Sequence, residues 1–144
     1  MVPTDGLTNS KDTGDVTEAR SILELTSAGY SVSVPFGDND SYDLLVEVDD
    51  GFIRVQCKTA WSVDSRVIRF NTHSQTTADG EYYERTYDGE VDAFFVRYPE
   101  TDMCYWVDID DVSGHRMDLR EEAEIDHPAI NWAEDYEFDG TIPP

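Results

Sequence analysis

The chain has 144 residues, with 10 Lys+Arg against 32 Asp+Glu and a formal net charge of −22. That length suits one domain whose core needs no disulfide framework or structural metal, and 39% hydrophobic with 12% aromatic residues excludes the acidic disordered class. No apolar run approaches the ~20 residues of a membrane helix. The start, MVPTDGLTNSKD, has neither a basic nor an apolar stretch, so the expectation is a cytoplasmic protein with no signal peptide and no membrane partner.

In chain order, residues 1–12 read as a flexible lead-in and 13–144 as a single domain. Asp12 or Thr13 can cap a helix running to about residue 28, with Gly29 placed to end it. On that helix Glu18 precedes Ile22 and Leu25 by four and seven positions, so it shares an apolar face instead of pointing cleanly to solvent. Residues 30–35 (YSVSVP) alternate as a strand, and 37–41 (GDNDS) form a loop. Residues 42–49 and 52–59 read as two strands joined by Asp50-Gly51, a strong short-range hairpin signal. Further strands are expected at 67–72, 91–98 and 104–108, with 73–81 as a polar loop and 129–138 as a final helix or packed tail. One helix followed by a hairpin-centred sheet and more strands gives an α+β or mixed α/β fold.

A two-residue loop at 50–51 sets Asp43 opposite Lys58, Leu45 opposite Gln56 and Glu47 opposite Arg54. By period 2 these six share one face, and Leu44, Val46, Val48, Ile53, Val55 and Cys57 form an apolar face behind them. The first face then gathers Asp43, Gln56 and Lys58 within cross-strand reach, about 5 Å between Cβ atoms.

Cys57 and Cys104 form no CxxC pair, and His73, His115 and His127 follow no ligand spacing, so no zinc site is expected. A carboxylate, an amide oxygen and water suit Mg²⁺, with Mn²⁺ as a second choice. Glu18 can complete that site or bind a second ion. A lysine beside the metal can orient or deprotonate water and offset charge on a phosphoryl transition state. Together these parts describe a phosphodiester hydrolase.

The acidity bears on the partner. Phosphate binding relies on Lys and Arg, so −22 suits either a soluble acidic domain without a polyanion partner or a protein from a high-salt, halophilic cytoplasm. At molar salt the Debye length is roughly 3 Å, and repulsion of DNA by the surface is largely screened. The near absence of lysine, Lys11 and Lys58 alone, favours the second. Between residues 51 and 78 the chain carries Arg54, Lys58, Arg66 and Arg69 against Asp64, a net +3, whereas residues 100–144 carry 14 acids and two bases. The scarce positive charge marks a local anion site, or a chance cluster on a strand face.

Asp43, then Gln56-Cys57-Lys58 on the next strand, preceded by a helix with Gly14-Asp15-Val16-Thr17-Glu18, resembles the PD-(D/E)XK nuclease superfamily. The string PFGDNDSYDLLVEVDDGFIRVQCKTA resembles its small intron-associated homing endonucleases with a D…QxK motif. Arg85-Thr86-Tyr87-Asp88-Gly89 and Val91-Asp92-Ala93-Phe94 are similar to their archaeal members, as expected of a haloarchaeal-type acidic protein. The resemblance covers roughly residues 11–110, and more weakly WAEDY near Trp132. It implies a restriction-endonuclease-like fold, a mixed sheet with flanking helices. Asp43 would be the main metal ligand, Gln56 would stand at the second acidic position, and the backbone carbonyl of Cys57 would be a further ligand. Lys58 would be the catalytic lysine and Glu18 the helix carboxylate. Tyr42 stands where the superfamily loosely keeps a proline, and Gln56 removes one negative charge from the site.

The expected function is a Mg²⁺-dependent DNA endonuclease acting in homing, junction resolution or repair on double-stranded or branched DNA. Cutting two strands needs two sites, so a homodimer or tetramer is expected. Arg54, Arg66, Arg69 and Arg85 are the candidate DNA contacts. Plainer readings stand beside these. Asp43 and Lys58 form a cross-strand ion pair, Glu18 a helix-boundary residue, and Arg54, Arg66 and Arg69 pair with neighbouring acids. Tyr87, Tyr82 and Tyr83 pack rather than stack on bases. Two alternative functions follow: a non-catalytic DNA-binding module on the same fold, or an acidic protein-interaction domain.

Overall fold

The computed structural model describes residues 10–37, 40–78, 81–87 and 89–144, with backbone only for 10, 74–78 and 81–86. Helix α1 spans Ser10–Ser27, so residues 10–12, read from sequence as lead-in, are helical. Its most buried stripe is Thr17, Ser21 and Leu25 at fourfold spacing, with Glu18 and Ile22 half-buried beside it. Two small hydroxyl residues let the helix lie close to the sheet: Thr17 Oγ1 and Thr59 Oγ1 are 2.6 Å apart, and Ser21 Oγ donates to the Thr17 carbonyl at 2.7 Å. The helix ends at Gly29, φ +98, where the N–H groups of Gly29 and Tyr30 donate to the carbonyls of Thr26 and Leu25. This is a Schellman close, with Tyr30 packing in the same cluster as Leu25.

The strands are β1 Val32–Ser33, β2 Leu44–Val48, β3 Gly51–Thr59, β4 Trp61–Asp64, β5 Val67–Asn71, β6 His73–Ala78, β7 Glu81–Thr86, β8 Ala93–Tyr98, β9 Met103–Asp108 and β10 Arg116–Arg120. Five form the main sheet in the order β1-β2-β3-β8-β9, mixed because β3 and β8 run parallel while the other neighbours are antiparallel. A parallel pair needs a crossover, commonly a helix. Here residues 60–92 supply it with strands, which build a second sheet, β10-β5-β4, and the ribbon β6-β7. The ribbon replaces the polar loop expected at 73–81. Its residues are nearly all polar, so no apolar alternation announced it. The strand expected over 30–35 shrinks to two residues, because Pro35 has no N–H to pair and Val34 already faces solvent.

The central hairpin forms with a different register. Val48 opposes Gly51 and Leu44 opposes Val55, so the two-residue loop is Asp49-Asp50, one position earlier than expected. Both loop aspartates keep negative φ, and Gly51, φ +146, takes the positive value. A primed turn at 50–51 would have needed positive φ at Asp50, which glycine accepts far more readily than aspartate. Glu47 consequently opposes Phe52, and Arg54 opposes Leu45. The slide is two residues along one strand, an even number, so every side chain keeps its expected face.

The main sheet is covered on both sides. Leu44, Val46, Val55, Phe95 and Trp106 pack beneath Leu25 of α1. Phe138 lies against Phe95 and Trp106, with ring centroids 5.4 and 6.3 Å away, so the C-terminal segment is a packed tail, with one 3₁₀ turn at Ala133–Asp135 and no α-helix. It also extends the sheet: the N–H of Phe138 donates to Cys104, and that of Trp106 to Tyr136. On the other side Phe94, Val96, Tyr105 and Val107 meet Ile68, Phe70, Met117 and Leu119 of the second sheet. The RMDLR alternation of β10 carries the last two of these, and was too short to stand out in sequence. Among the described residues no helix is long and apolar enough to cross a membrane.

Candidate active site

Asp43 stands just ahead of β2. Its N–H donates to the Val55 carbonyl at 2.8 Å, and its carboxylate Oδ2 accepts the Cys57 N–H at 2.9 Å. Continuing the β2–β3 register by one step sets it opposite Gln56 rather than Lys58, which lies two residues further along the same face. Burial raises the Asp43 pKa, against the Cys57 N–H and the Lys58 charge, which lower it. The Gln56 side chain is half-buried and makes no hydrogen bond among the described residues.

Lys58 is the chain's second and last lysine, and it is held inside. Nζ donates to the Tyr87 hydroxyl at 3.1 Å and to the His73 carbonyl at 3.3 Å, and lies 4.7 Å from the centre of the Tyr87 ring. Tyr87 is 6% exposed and packs edge-on against Phe94, 5.7 Å between centroids. Burial lowers the Lys58 pKa to about 8, although the charges of Asp43 and Cys57 pull the other way. Lys58 is thus an amine that can be neutral near physiological pH. Tyr87, expected to be a packing residue, does pack, and its hydroxyl also fixes this amine. Sequence gave no sign of that second role, because Tyr87 and Lys58 are 29 residues apart.

Glu18 reaches the same corner from α1. Its pKa is raised first by burial, then by the charge of Asp43 and then by Asp15. What fixes its helix is a buried polar seam. Arg97, 1% exposed, sends Nε to Asp102 Oδ1 at 3.1 Å and Nη1 to Thr17 Oγ1 at 3.5 Å, and its Nη2 has no partner among the described residues. Arg20 of α1 pairs with Glu24 and also with Asp102, so one turn aspartate ties helix to sheet. Arg97 carries no sequence signal of this; it reads there as a strand arginine in VDAFFVRY.

Among the described residues no three His, Cys, Asp or Glu side chains gather as a metal site. The donors present at this corner are the two carboxylates of Asp43 and Glu18, the Gln56 amide and the backbone of Cys57. They are hard oxygen ligands and fit a divalent cation such as Mg²⁺, which keeps several waters and needs only one or two carboxylates. The Cys57 thiol is half-buried against the core under α1, and desolvation pushes its pKa up.

The candidate DNA contacts divide. Arg54 is bound by Asp92: Nε and Nη2 meet the two carboxylate oxygens at 3.1 Å each, and Nη1 reaches the Gly89 carbonyl at 3.1 Å. It does not face Glu47. Arg69 makes a forked pair with Asp118 at 2.7 and 3.0 Å. Arg66 is half-buried and has no ion pair among the described residues. The side chains of Arg85, Tyr82 and Tyr83, the whole of Asp38 and residues 1–9 of the lead-in lie outside the described residues. Asp40 is exposed.

A structure described as that of a bacterial homing endonuclease, I-Ssp6803I, superposes with a TM-score of 0.74 at 22% sequence identity, over 90% of this chain and 88% of that one. At that identity the likeness establishes the fold. No curated protein sequence matches the chain. The family model for PD-(D/E)XK endonucleases matches residues 8–139, which spans α1, both sheets and the packed tail. With nearly the whole chain matched and the fold in agreement, this protein is a member of the PD-(D/E)XK endonuclease family.

Proposed function

We propose that the chain is a metal-dependent DNA endonuclease that hydrolyses phosphodiester bonds at the corner formed by Asp43, Gln56, Lys58 and Glu18. The observation that carries this reading is the convergence of these groups. Asp43 is pinned to the Cys57 N–H, Lys58 shares its sheet face with a lowered pKa, and the helix carboxylate senses Asp43. Asp43, Glu18, the Gln56 amide and the Cys57 carbonyl would hold the cation. When bound, a divalent ion polarises the scissile phosphate and lowers the pKa of water near it. Lys58, steadied by Tyr87 and the His73 carbonyl, accepts or directs the proton of the attacking water. Once protonated it offsets charge on the phosphoryl group.

Within this class the D…QxK pattern favours the homing-type branch, with junction resolution or repair as neighbouring roles. DNA is then the substrate, and a dimer or tetramer supplies the two sites that a double-strand cut requires. We read the acid excess as adaptation to a salt-rich cytoplasm, where DNA is reached in spite of a charge of −22.

Gln56 also supports a second reading, a DNA-binding module without chemistry, because it leaves one charge fewer to hold a metal. The paired state of Arg54 and Arg69 is what an acidic interaction domain would also have, but membership of an endonuclease family weighs against that reading.

The test is incubation with supercoiled plasmid and with four-way junction DNA across a KCl series, in Mg²⁺, Mn²⁺ or EDTA, beside Asp43→Ala and Lys58→Ala proteins. Metal-dependent nicking or resolution that both substitutions abolish supports the endonuclease. Undiminished cutting by Asp43→Ala would overturn the assignment, and a gel shift without any cutting selects the binding module.

A further inference from the structure

The second sheet has an outer face that the candidate active site does not use. Its inner residues, Ile68, Phe70, Met117 and Leu119, are buried against the main sheet. Alternation therefore turns Arg69 of β5 and Arg116, Asp118 and Arg120 of β10 outward. There they line a groove of about 490 Å³, walled on one side by the chain near Asn131, whose carbonyl accepts the Arg120 N–H. Three of the ten Lys+Arg of a chain with charge −22 stand in this one groove against two acids, Asp111 and Asp118.

Their pairing is uneven. Asp118 opposes Arg69 in the register and takes its guanidinium in the fork already described. Arg116 and Arg120 flank Asp118 on the same strand face, and neither has an ion pair among the described residues. Trp61 of β4, 40% exposed, is the cross-strand neighbour of Arg69 on the side away from β10.

We propose that this outer face is a second DNA-binding surface, on which Arg116 and Arg120 contact the phosphates of a strand running along β10. Four residues of strand separate the two arginines by roughly 13 Å. A polynucleotide, with one charge per ~3.4 Å of axis on each strand, presents several phosphates over that distance. Two guanidiniums without ion pairs among the described residues, spaced along one strand face, suit successive charges of a polyanion, and the proposed endonuclease function, on which this step rests, selects DNA. The second sheet is joined to the candidate site through the chain itself. Arg116 pairs with Asn71, two residues before His73, and the His73 carbonyl holds Lys58. Trp61 would lie against sugars or an unpaired base at the side of the track.

The experiment is fluorescence anisotropy with a labelled 30-base-pair duplex in EDTA, over a salt series, for the wild type, Arg116→Ala/Arg120→Ala and Arg116→Lys/Arg120→Lys. Loss of two phosphate contacts should make the slope of log K against log salt shallower by about 2 and weaken binding at least tenfold at low salt. The double lysine protein, which keeps both charges, should retain most of the wild-type slope. Circular dichroism establishes that each variant is folded. An alanine double variant that binds with the wild-type affinity and slope overturns the proposal, as does a wild type with no duplex affinity at low salt. Binding in EDTA needs no chemistry. An arginine-dependent slope in a protein that cuts nothing would thus leave the groove standing and remove only the endonuclease reading.

Discussion

Four of the chain's ten Lys and Arg side chains stand in two contrasting places. At the corner of the main sheet a single lysine is drawn out of water, clamped by a phenol and a carbonyl, and shifted towards neutrality. On the outer face of the second sheet, arginines stand in an open groove and stay charged. The contrast follows from the side chains. An ammonium responds to desolvation by releasing its proton, so it can serve in proton transfer. A guanidinium does not, so it serves as a fixed charge for binding. Substitutions at the corner should therefore change the rate of cleavage and leave affinity, and substitutions in the groove should do the reverse.

The largest expected effect is at the corner. Lys58→Ala should lower the single-turnover cleavage rate by about 10²- to 10⁴-fold, the range for loss of a positioned acid–base group, and Asp43→Ala, which removes the proposed main metal ligand, should do so at least as strongly. Duplex affinity in EDTA should stay within a few-fold. Affinity that collapsed together with rate would erase the distinction between the two regions.

Next is pH. Burial favours the neutral amine, so a rate that needs Lys58 to accept a proton should rise about tenfold per pH unit and level off near pH 8. A profile flat from pH 6 to 9 would remove Lys58 as the proton acceptor. Stability carries the same sign. The unfolded lysine titrates near 10.5 and the folded one near 8, so between these values the unfolded chain holds the extra proton. Relative to Lys58→Met, the wild type should gain stability as pH rises from 8 to 10.5, measured by urea midpoints.

Gln56→Glu adds a third carboxylate and should lower the Mg²⁺ concentration for half-maximal cutting several-fold, since ligand charge tunes affinity for hard cations. An unchanged metal requirement would place Gln56 outside the ligand set. Tyr87→Phe keeps the ring over Nζ and removes one hydrogen bond. A loss of about 1 kcal/mol, near fivefold in rate, is expected. The smallest effect should come from Arg54→Ala, a half-exposed pair with Asp92, where less than about 1 kcal/mol of stability is at stake and duplex affinity should not move. A strong binding defect there would return Arg54 to the DNA-contacting group.

The faces of the central hairpin were legible because period 2 is a local property, and a slide of two residues cannot disturb it. Asp43, Gln56 and Lys58 could be placed together for that reason, while their pairing could not. The pairing depended on whether Asp50 or Gly51 took the positive φ. The helix was legible in its existence and its glycine stop, but its buried stripe was misjudged. Thr17 and Ser21, not Ile22, lie closest to the sheet, because Thr59 and Arg97 supply polar partners that no local pattern contains. The strands outside the main sheet were least legible, β5 excepted: β4 and β10 are short, and β6-β7 is polar.

The sequence by itself determined the family resemblance, the mixed α/β class, the faces of the hairpin and the scarcity of positive charge, all of which reside in composition or in spacings of a few residues. Tertiary structure decided which charges remain available. It brought Tyr87 and His73 around Lys58 and turned Asp92 and Asp118 onto Arg54 and Arg69. It also left Arg116 and Arg120 on an open face. Desolvation and ion pairing depend on neighbours tens of residues away in the chain, and only the folded arrangement of sheets supplies them.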